Sequence, residues 1–459
     1  MTVHLRVYNK ASSLRSDGSR NYVHPADVRG RFDRMRNVAF ACLTVLLASL
    51  PFVHVGGHPA VFLDVQHRRF YLLGATFNAQ DLWLMFFLLT GIGFSLILVT
   101  TLWGRIWCGY ACPQTVFLEG LFRPIERLLE GPRSERLRRN AAPLTFDKLW
   151  RKTLKQLIYV ALAFAIAHLI TAYFVSLPAL YEMVRERPSD HPEAFAWAAT
   201  LTAILYFNFA WFREQLCLVI CPYGRLQSVL TDRDTTVIGY DEKRGEPRGK
   251  KNKAGAGDCV DCSRCVVVCP TGIDIRNGLQ IDCIGCARCI DACDEVMVKL
   301  GRPTGLVRYD SQKGLAGEQR RVWRPRIALY AALGVIGCIA AGLALGQRTS
   351  FEANLLRLRD APPFVLDQGR VRNAFEVHLV NKQSRDVVFE LSGKPDQRLR
   401  YTVSMPRIVL SELRDQRVPV FVDFADGAVG SGERAQLEVR VEGQLVRTLP
   451  MPLLAPVRR

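Results

Sequence analysis

Cysteine is the residue type whose spacing in this chain most directly implies chemistry. Twelve of the fourteen cysteines fall into spaced groups. Eight of them read Cys259-x2-Cys262-x2-Cys265-x3-Cys269-Pro270 and Cys283-x2-Cys286-x2-Cys289-x3-Cys293, the spacing by which paired [4Fe-4S] clusters are ligated. Three thiolates two residues apart wrap one face of a cubane cluster, and the fourth, reached after three more residues, points to the other cluster. Cluster one is therefore expected on Cys259, Cys262, Cys265 and Cys293, and cluster two on Cys283, Cys286, Cys289 and Cys269. Zinc sites use C-x2-C pairs, one ion per four ligands, and need no two matched four-cysteine runs. Disulfides seldom persist in the reducing compartment to which the charge pattern below assigns this segment. Asp294 stands after Cys293 where a second proline is usual, which alters hydrogen bonding near cluster one without removing a ligand.

Four more cysteines form an internal repeat. Cys108-x3-Cys112-Pro113 begins five residues after an apolar run ends at Trp103, and Cys217-x3-Cys221-Pro222 begins five residues after another ends at Phe212. If the helix continues through each motif, both thiols of a unit share one face, and the proline then distorts or ends it. Four converging thiolates suit Cu(I), zinc or an iron–sulfur centre, and their softness favours Cu(I) among mobile ions; a dithiol redox pair would need no metal. Cys42 and Cys338, alone in apolar runs, are read as packing residues. His168 lies within an apolar run, where an ionisable side chain is costly, and is a candidate copper ligand. His54, His58, His67 and Asp64 offer a weaker Cu(II) site and read more simply as solvated loop residues.

The elements that must position these groups are membrane spans. Five apolar runs are of spanning length: Val38–Val55, Leu82–Trp103, Leu157–Leu177, Ala194–Phe212 and Ile327–Leu345. Each crosses the hydrocarbon core at roughly 1.5 Å per residue. None contains Lys, Arg, Asp or Glu, which a core helix of a soluble protein carries on its wet face. The first run is not read as a cleavable leader, because a long arm precedes it and no small-x-small site follows. A net charge of +18 raises nucleic acid as a partner. The basic residues instead flank the apolar runs, so the lipid bilayer is the expected partner and nucleic acid is excluded.

Arginine and lysine concentrate in the N-terminal arm and in the loop from Arg105 to Lys152, whereas the other two loops are poor or balanced in charge. The positive-inside rule then puts those basic segments, with residues 213–326, in the cytosol, and the tail from Gln347 in the periplasm. Residues 1–37 are a cytosolic arm, 38–212 a four-helix transmembrane domain, 213–326 a cytosolic segment with a ferredoxin-like domain at about 255–300, 327–346 a fifth span, and 347–459 a periplasmic domain. Gly245–Gly257 reads as a tether. Acidic residues across the cluster segment, Asp291 among them, read as solubilising. In the tail, Phe375–Val380, Val387–Leu391, Tyr401–Val403, Val418–Phe424 and Gln436–Val441 alternate as strands of a small immunoglobulin-like sandwich. The fold class is thus a multi-domain membrane protein: an α-helical bundle of five spans, an inserted two-cluster domain and a C-terminal β-sandwich.

The order of these parts, with the motif text WGRIWCGYACP at Trp103–Pro113 and QLCLVICPYG at Gln215–Gly224, resembles the cytochrome c oxidase accessory proteins of the CcoG, FixG and RdxA group over nearly the whole chain. The resemblance implies a protein of the bacterial inner membrane that reduces Cu(II) to Cu(I) for assembly of a cbb3-type oxidase. A cytosolic electron donor, and oxidase subunits or copper-delivery assembly factors, are the implied partners. On this reading two [4Fe-4S] clusters are the cofactors, copper is the substrate, and Cys108, Cys112, Cys217 and Cys221 carry the reaction. A quinol-linked electron conduit and a redox-sensing scaffold that turns nothing over are the alternatives.

Overall fold

The computed structural model describes residues 22–66, 68–78, 81–250, 255–346, 349–358, 361–383, 385–430 and 432–456. They divide into two compact units, the first built from residues up to Ala75 and from Leu82–Ala341, the second from Thr76–Asp81 and from Gly342 onward.

Among the described residues, four helices are long and apolar enough to cross a membrane: Trp83–Trp103, Phe146–Thr171, Pro192–Phe212 and Pro325–Gly346. Large apolar side chains stand exposed along them, including Phe86, Leu89, Phe164, Trp197, Ile204, Ile336 and Leu343, the pattern of helices whose solvent is lipid. The third expected span begins eleven residues earlier than its apolar run, because Thr145 caps it and its first turns carry Asp147, Lys148, Arg151, Lys152 and Lys155. The run Val38–Val55 behaves differently. Its helix is Arg31–Ser49 and opens on Arg31, Asp33, Arg34 and Arg36; a hairpin, His54–Val55 with His58–Pro59, follows. The apolar helical stretch Val38–Ser49 is only about 18 Å long and falls short of the roughly 30 Å core.

Helices Phe146–Thr171 and Pro192–Tyr206 pack side by side. Phe117, Leu118, Phe122, Tyr159, Ile166 and Phe209 form the core between them and the chain that follows the first cysteine motif. Phe122 stacks on Phe209 with ring centroids 4.6 Å apart, and Tyr159 donates its hydroxyl to the Phe122 carbonyl at 2.9 Å.

The inserted segment is bracketed by an antiparallel pair, Thr236–Tyr240 with Val307–Ser311, in register from Thr236 opposite Ser311 to Tyr240 opposite Val307. Between these strands lie the short helix Arg264–Val267 and the longer Arg288–Leu300. Both helices start from a residue in the left-handed region, Ser263 (φ 51) and Ala287 (φ 61). Each stands two positions before the third cysteine of its run, so the cluster-binding segment is itself a repeat.

The second unit is a two-sheet sandwich. One sheet has the order Leu399–Val403, Asp415–Ala425, Arg370–Asn381, Phe351–Arg357, with Val365–Asp367 added to Arg370–Asn381. The other has the order Arg407–Leu410, Val387–Gly393, Arg434–Val441, Gln444–Pro452. Alternate residues such as Phe375, Val377, Leu379, Val418, Val420, Val422, Leu437 and Val439 are fully buried between the sheets. All five runs expected as strands lie within these elements.

Candidate electron-transfer site

The two C-x3-C-P motifs fold alike. Each preceding span ends on a residue with positive φ, Gly104 (φ 58) and Arg213 (φ 52), four positions before the first cysteine. A single helical turn carries that cysteine: Ile106–Tyr110 holds Cys108, and the wider turn Leu216–Ile220 holds Cys217. The second cysteine then goes extended, and its amide closes back on the residue five earlier, Cys112 N–H to the Trp107 carbonyl at 2.9 Å and Cys221 N–H to the Leu216 carbonyl at 2.8 Å. The proline starts a new helix, Pro113–Phe117 in one repeat and Pro222–Leu230 in the other. Continuous helix through the motif is therefore corrected: Pro at the first helical position needs no N–H and arrives with helical φ, so it opens the next helix instead of distorting the last.

The repeats interlock. Gln114 and Asn208 exchange side-chain amide hydrogen bonds of 2.7 and 3.3 Å, and Gln114 also donates to the Arg213 carbonyl at 3.0 Å. Arg105 of the first motif donates to the Gly224 carbonyl after the second, and Thr100 meets the Tyr223 hydroxyl at 2.6 Å. The four thiols are thereby brought within electrostatic reach of one another. Burial pushes Cys108 up to about 11 and Cys217 up to about 12; Cys112 and Cys221 add to the shift at Cys108, and Cys112, Cys108 and Cys221 to that at Cys217. The side-chain amide of Gln227 lies 3.5 Å from the Cys108 sulfur. Among the described residues no three His, Cys, Asp or Glu side chains are gathered tightly enough to hold a single ion.

In the insert, Cys259, Cys262, Cys265 and Cys293 line one cavity. Cys269, Cys283, Cys286 and Cys289 line a second, which Cys265 also borders. Burial raises Cys265, Cys283 and Cys293 to about 12. Four sulfur donors around a mostly apolar cavity are the donor set of a cubane cluster, and the chain fits two such groups. Asp294, in place of the usual proline, accepts the Gly305 N–H at 2.8 Å.

The two cysteine systems touch through bare backbone. A Cβ added at Gly109, the residue after Cys108, would lie 2.8 Å from the Gly285 carbonyl oxygen, 2.9 Å from that of Ile284 and 3.0 Å from the Cys286 Cα. One added at Gly285 (φ 67) would lie 2.9 Å from the Arg105 carbonyl oxygen. The Gly109 carbonyl is held by the buried Arg36 Nε at 3.1 Å, and the Gly285 carbonyl by the Tyr309 hydroxyl at 2.7 Å. Arg105 lowers the proton affinity of both Cys108 and Cys283 against the larger effect of burial, so one guanidinium serves both systems. Beneath it lies a buried ion-pair network. Arg213 pairs with Glu126 at 2.8 Å, Arg123 reaches Glu214 at 3.3 Å and donates to the Pro270 carbonyl at 3.1 Å, and Arg288 pairs with Glu119 at 3.4 Å. Burial would raise Glu126, but Arg213, with His24 and Lys155, outweighs it and holds the carboxyl well below the usual range.

Comparison with known proteins follows the same division. Residues 212–312 match the 4Fe-4S dicluster domain, residues 83–132 a 4Fe-4S binding domain that contains Cys108 and Cys112, and residues 341–449 the Ig-like fold at the C-terminus of FixG. Nitrogen fixation protein FixG of Rhizobium meliloti is 34% identical, over 90% of this chain and 88% of its own. The chain belongs to the FixG and RdxA family. Protein RdxA of Cereibacter sphaeroides is 38% identical, over 75% of both chains, and Protein RdxB of the same organism is 36% identical, over 83% and 84%.

In this family member the other candidate ligands lie apart from the thiols. His168 sits in the last turn of Phe146–Thr171, its Nδ1 2.9 Å from the Phe164 carbonyl and its ring 3.9 Å from the Phe164 ring. His54 Nδ1 is 3.0 Å from the Phe52 carbonyl, and His58 stacks on Tyr71 at 4.1 Å. His67 lies outside the described residues. Sequence reasoning missed Gly109, Arg36, Arg105 and Gln227. It also took Asp291 for a solubilising group, whereas this buried carboxylate accepts the Phe32 and Asp33 amides at 3.2 and 2.7 Å and caps the helix Arg31–Ser49.

Proposed function

We propose that this chain is an iron–sulfur electron-transfer protein that reduces Cu(II) to Cu(I) for assembly of a cbb3-type cytochrome c oxidase. The backbone apposition of Gly109 on Gly285 carries the reading, because it leaves no side chain between the C-x3-C-P centre and the second cluster loop. Cys259, Cys262, Cys265 and Cys293 would hold one [4Fe-4S] group, and Cys283, Cys286, Cys289 and Cys269 the other. Such groups, when bound, supply electrons one at a time, and each Cu(II) needs one. Cys108, Cys112, Cys217 and Cys221 bind the copper substrate as soft donors suited to the Cu(I) product. Gln227 orients Cys108, and all four cysteines stay partly exposed, which leaves the copper substrate a way in. His168 remains a candidate only as an outlying copper contact.

On this reading the protein lies in a bacterial inner membrane with the insert facing a cytosolic donor and the sandwich in the periplasm, where it docks oxidase subunits or copper-delivery factors. The helix Arg31–Ser49 adds a fifth membrane element: Val38, Val45, Leu46, Phe52 and Val53 stand exposed along it and just beyond it, and the exposed Arg31 and Arg34 at its start reach the boundary by snorkelling.

Anaerobically purified protein tests both halves. Close to eight iron and eight labile sulfide atoms per chain are expected; about four iron atoms, or stoichiometric zinc, refutes the ligand sets. With a chemical donor supplied, Cys→Ala at position 108, 112, 217 or 221 should lower Cu(II) reduction to background while both clusters stay loaded and reducible. Full activity in all four variants overturns the copper reading.

A further inference from the structure

A third cavity, apart from the two cysteine-lined ones, opens where the second span ends. It begins at Trp103, Gly104 and Arg105 and has Val237, Ile238, Leu279 and Ile281 as apolar wall, with Cys283, Gly285 and Tyr309 at its inner end. Its cavity volume is about 130 Å³, close to the roughly 150 Å³ that admits one benzene ring. Trp103 is the last residue of a membrane-length helix and is half exposed, so the mouth lies at the membrane–water boundary, where tryptophan is favoured. Any ligand seated here touches the loop that carries Cys283. One polar atom in the wall is unused: the Thr236 Oγ1 is buried without a hydrogen-bond partner. Arg105 offers a positive charge beside it, having committed one N–H to the Gly224 carbonyl.

We infer that this cavity binds the head of a membrane quinone. The ligand must enter from the lipid boundary, fill an apolar slot with a flat ring and present oxygens to the Thr236 hydroxyl and Arg105. Because it rests against a cluster-binding loop, it must also be a redox carrier, and among lipid-soluble molecules that set of properties is a quinone's. Hydroquinone oxidation here releases two electrons and two protons. The electrons would go one at a time to the [4Fe-4S] groups that the two cysteine sets hold when loaded, and the protons would leave past Ser228, Asp232 and Gln312, which form the polar side of the cavity. The inference rests on the electron-transfer reading above but not on copper, since quinone binding is measured without it.

The test is photolabelling of the cluster-loaded protein, in nanodiscs, with an azido-benzoquinone carrying a short isoprenoid tail, followed by peptide mapping. Label is expected within residues 228–238 or 279–285 and should be displaced by unlabelled short-chain ubiquinone. Val237→Trp and Leu279→Trp, which fill the slot from opposite walls, should each weaken labelling at least tenfold, and Thr236→Val severalfold, with cluster absorbance unchanged in all three. Label elsewhere, labelling indifferent to both tryptophan variants in loaded protein, or displacement by flavin mononucleotide in preference to ubiquinone overturns the inference. Cu(II) reduction with dithionite as donor should survive in these variants. Its loss in the C-x3-C-P variants alone keeps failure of the copper reading separate from failure of the quinone site.

Discussion

Gly109→Ala is the smallest change that can separate the two cysteine systems. Its new methyl group would meet three backbone atoms of the Ile284–Cys286 loop, the nearest at 2.8 Å, and ordinary contact begins at 3.4 Å. The loops must therefore part by about 0.6 Å. Neither side yields easily, since Arg36 fixes the Gly109 carbonyl and Tyr309 the Gly285 carbonyl. Overpacking of this kind costs about 1–3 kcal/mol. Gly93→Ala is the control: this glycine lies within the helix Leu82–Trp103 with nothing within 4 Å of an added Cβ, so its methyl group meets no neighbour and costs no backbone strain. Denaturant unfolding of loaded protein, followed by cluster absorbance, should show Gly109→Ala as the more damaging of the two, and copper reduction by the intact variant should fall. Gly109→Ala that is as stable as wild type and as fast in copper reduction would refute the direct backbone apposition.

Asp291→Ala should loosen the helix Arg31–Ser49 by about 1 kcal/mol through loss of its cap, read as faster proteolysis near Arg31 with iron content unchanged. The Glu126 carboxyl, whose affinity for protons is lowered in the folded state, contributes stability that is complete above its ordinary unfolded range and is lost as pH falls towards the folded value. Glu126→Gln should flatten that acid-side loss in a pH series of unfolding midpoints, and Arg213→Met, which removes the carboxylate's main partner and leaves it His24 and Arg136, should destabilise the protein at neutral pH by less than the roughly 3–5 kcal/mol of a fully unpaired buried charge. Reporter fusions after Phe70 and Arg187 should read as external and those after Arg139 and Lys251 as internal, by the basic excess; a fusion after Arg459 that reads as internal would contradict a crossing by the helix Pro325–Gly346.

Much of the site was legible because ligand spacing is a local property. The cysteine intervals alone sort eight thiols into the two sets that line the two cavities, and the repeated C-x3-C-P unit announces its own duplication. What was illegible depends on distant chain. Nothing near Gly109 in sequence signals that residues 284–286 will lie against it, and a carboxylate such as Asp291 reads as solubilising until the amides it caps, some 260 positions away, are placed. The run through Val55 misled for another reason: hydropathy continues smoothly past Ser49, while the backbone has already turned into a hairpin. In the sandwich, Gln444–Pro452 escaped notice because an edge strand is mostly exposed and tolerates Pro450 and Pro452, which a central strand would not.

The mirrored closure of the two motifs bears on how such a centre can arise and be dismantled. Each helical hairpin brings only two sulfur atoms to the boundary, and the bonds that align them, Gln114 with Asn208 and Arg105 with Gly224, run from one hairpin to the other. The centre is thus a property of the seam and belongs to neither half. A chain cut in the loop between the hairpins would recover it only when both fragments are made together, and a lone hairpin could build it only by pairing with a second copy of itself.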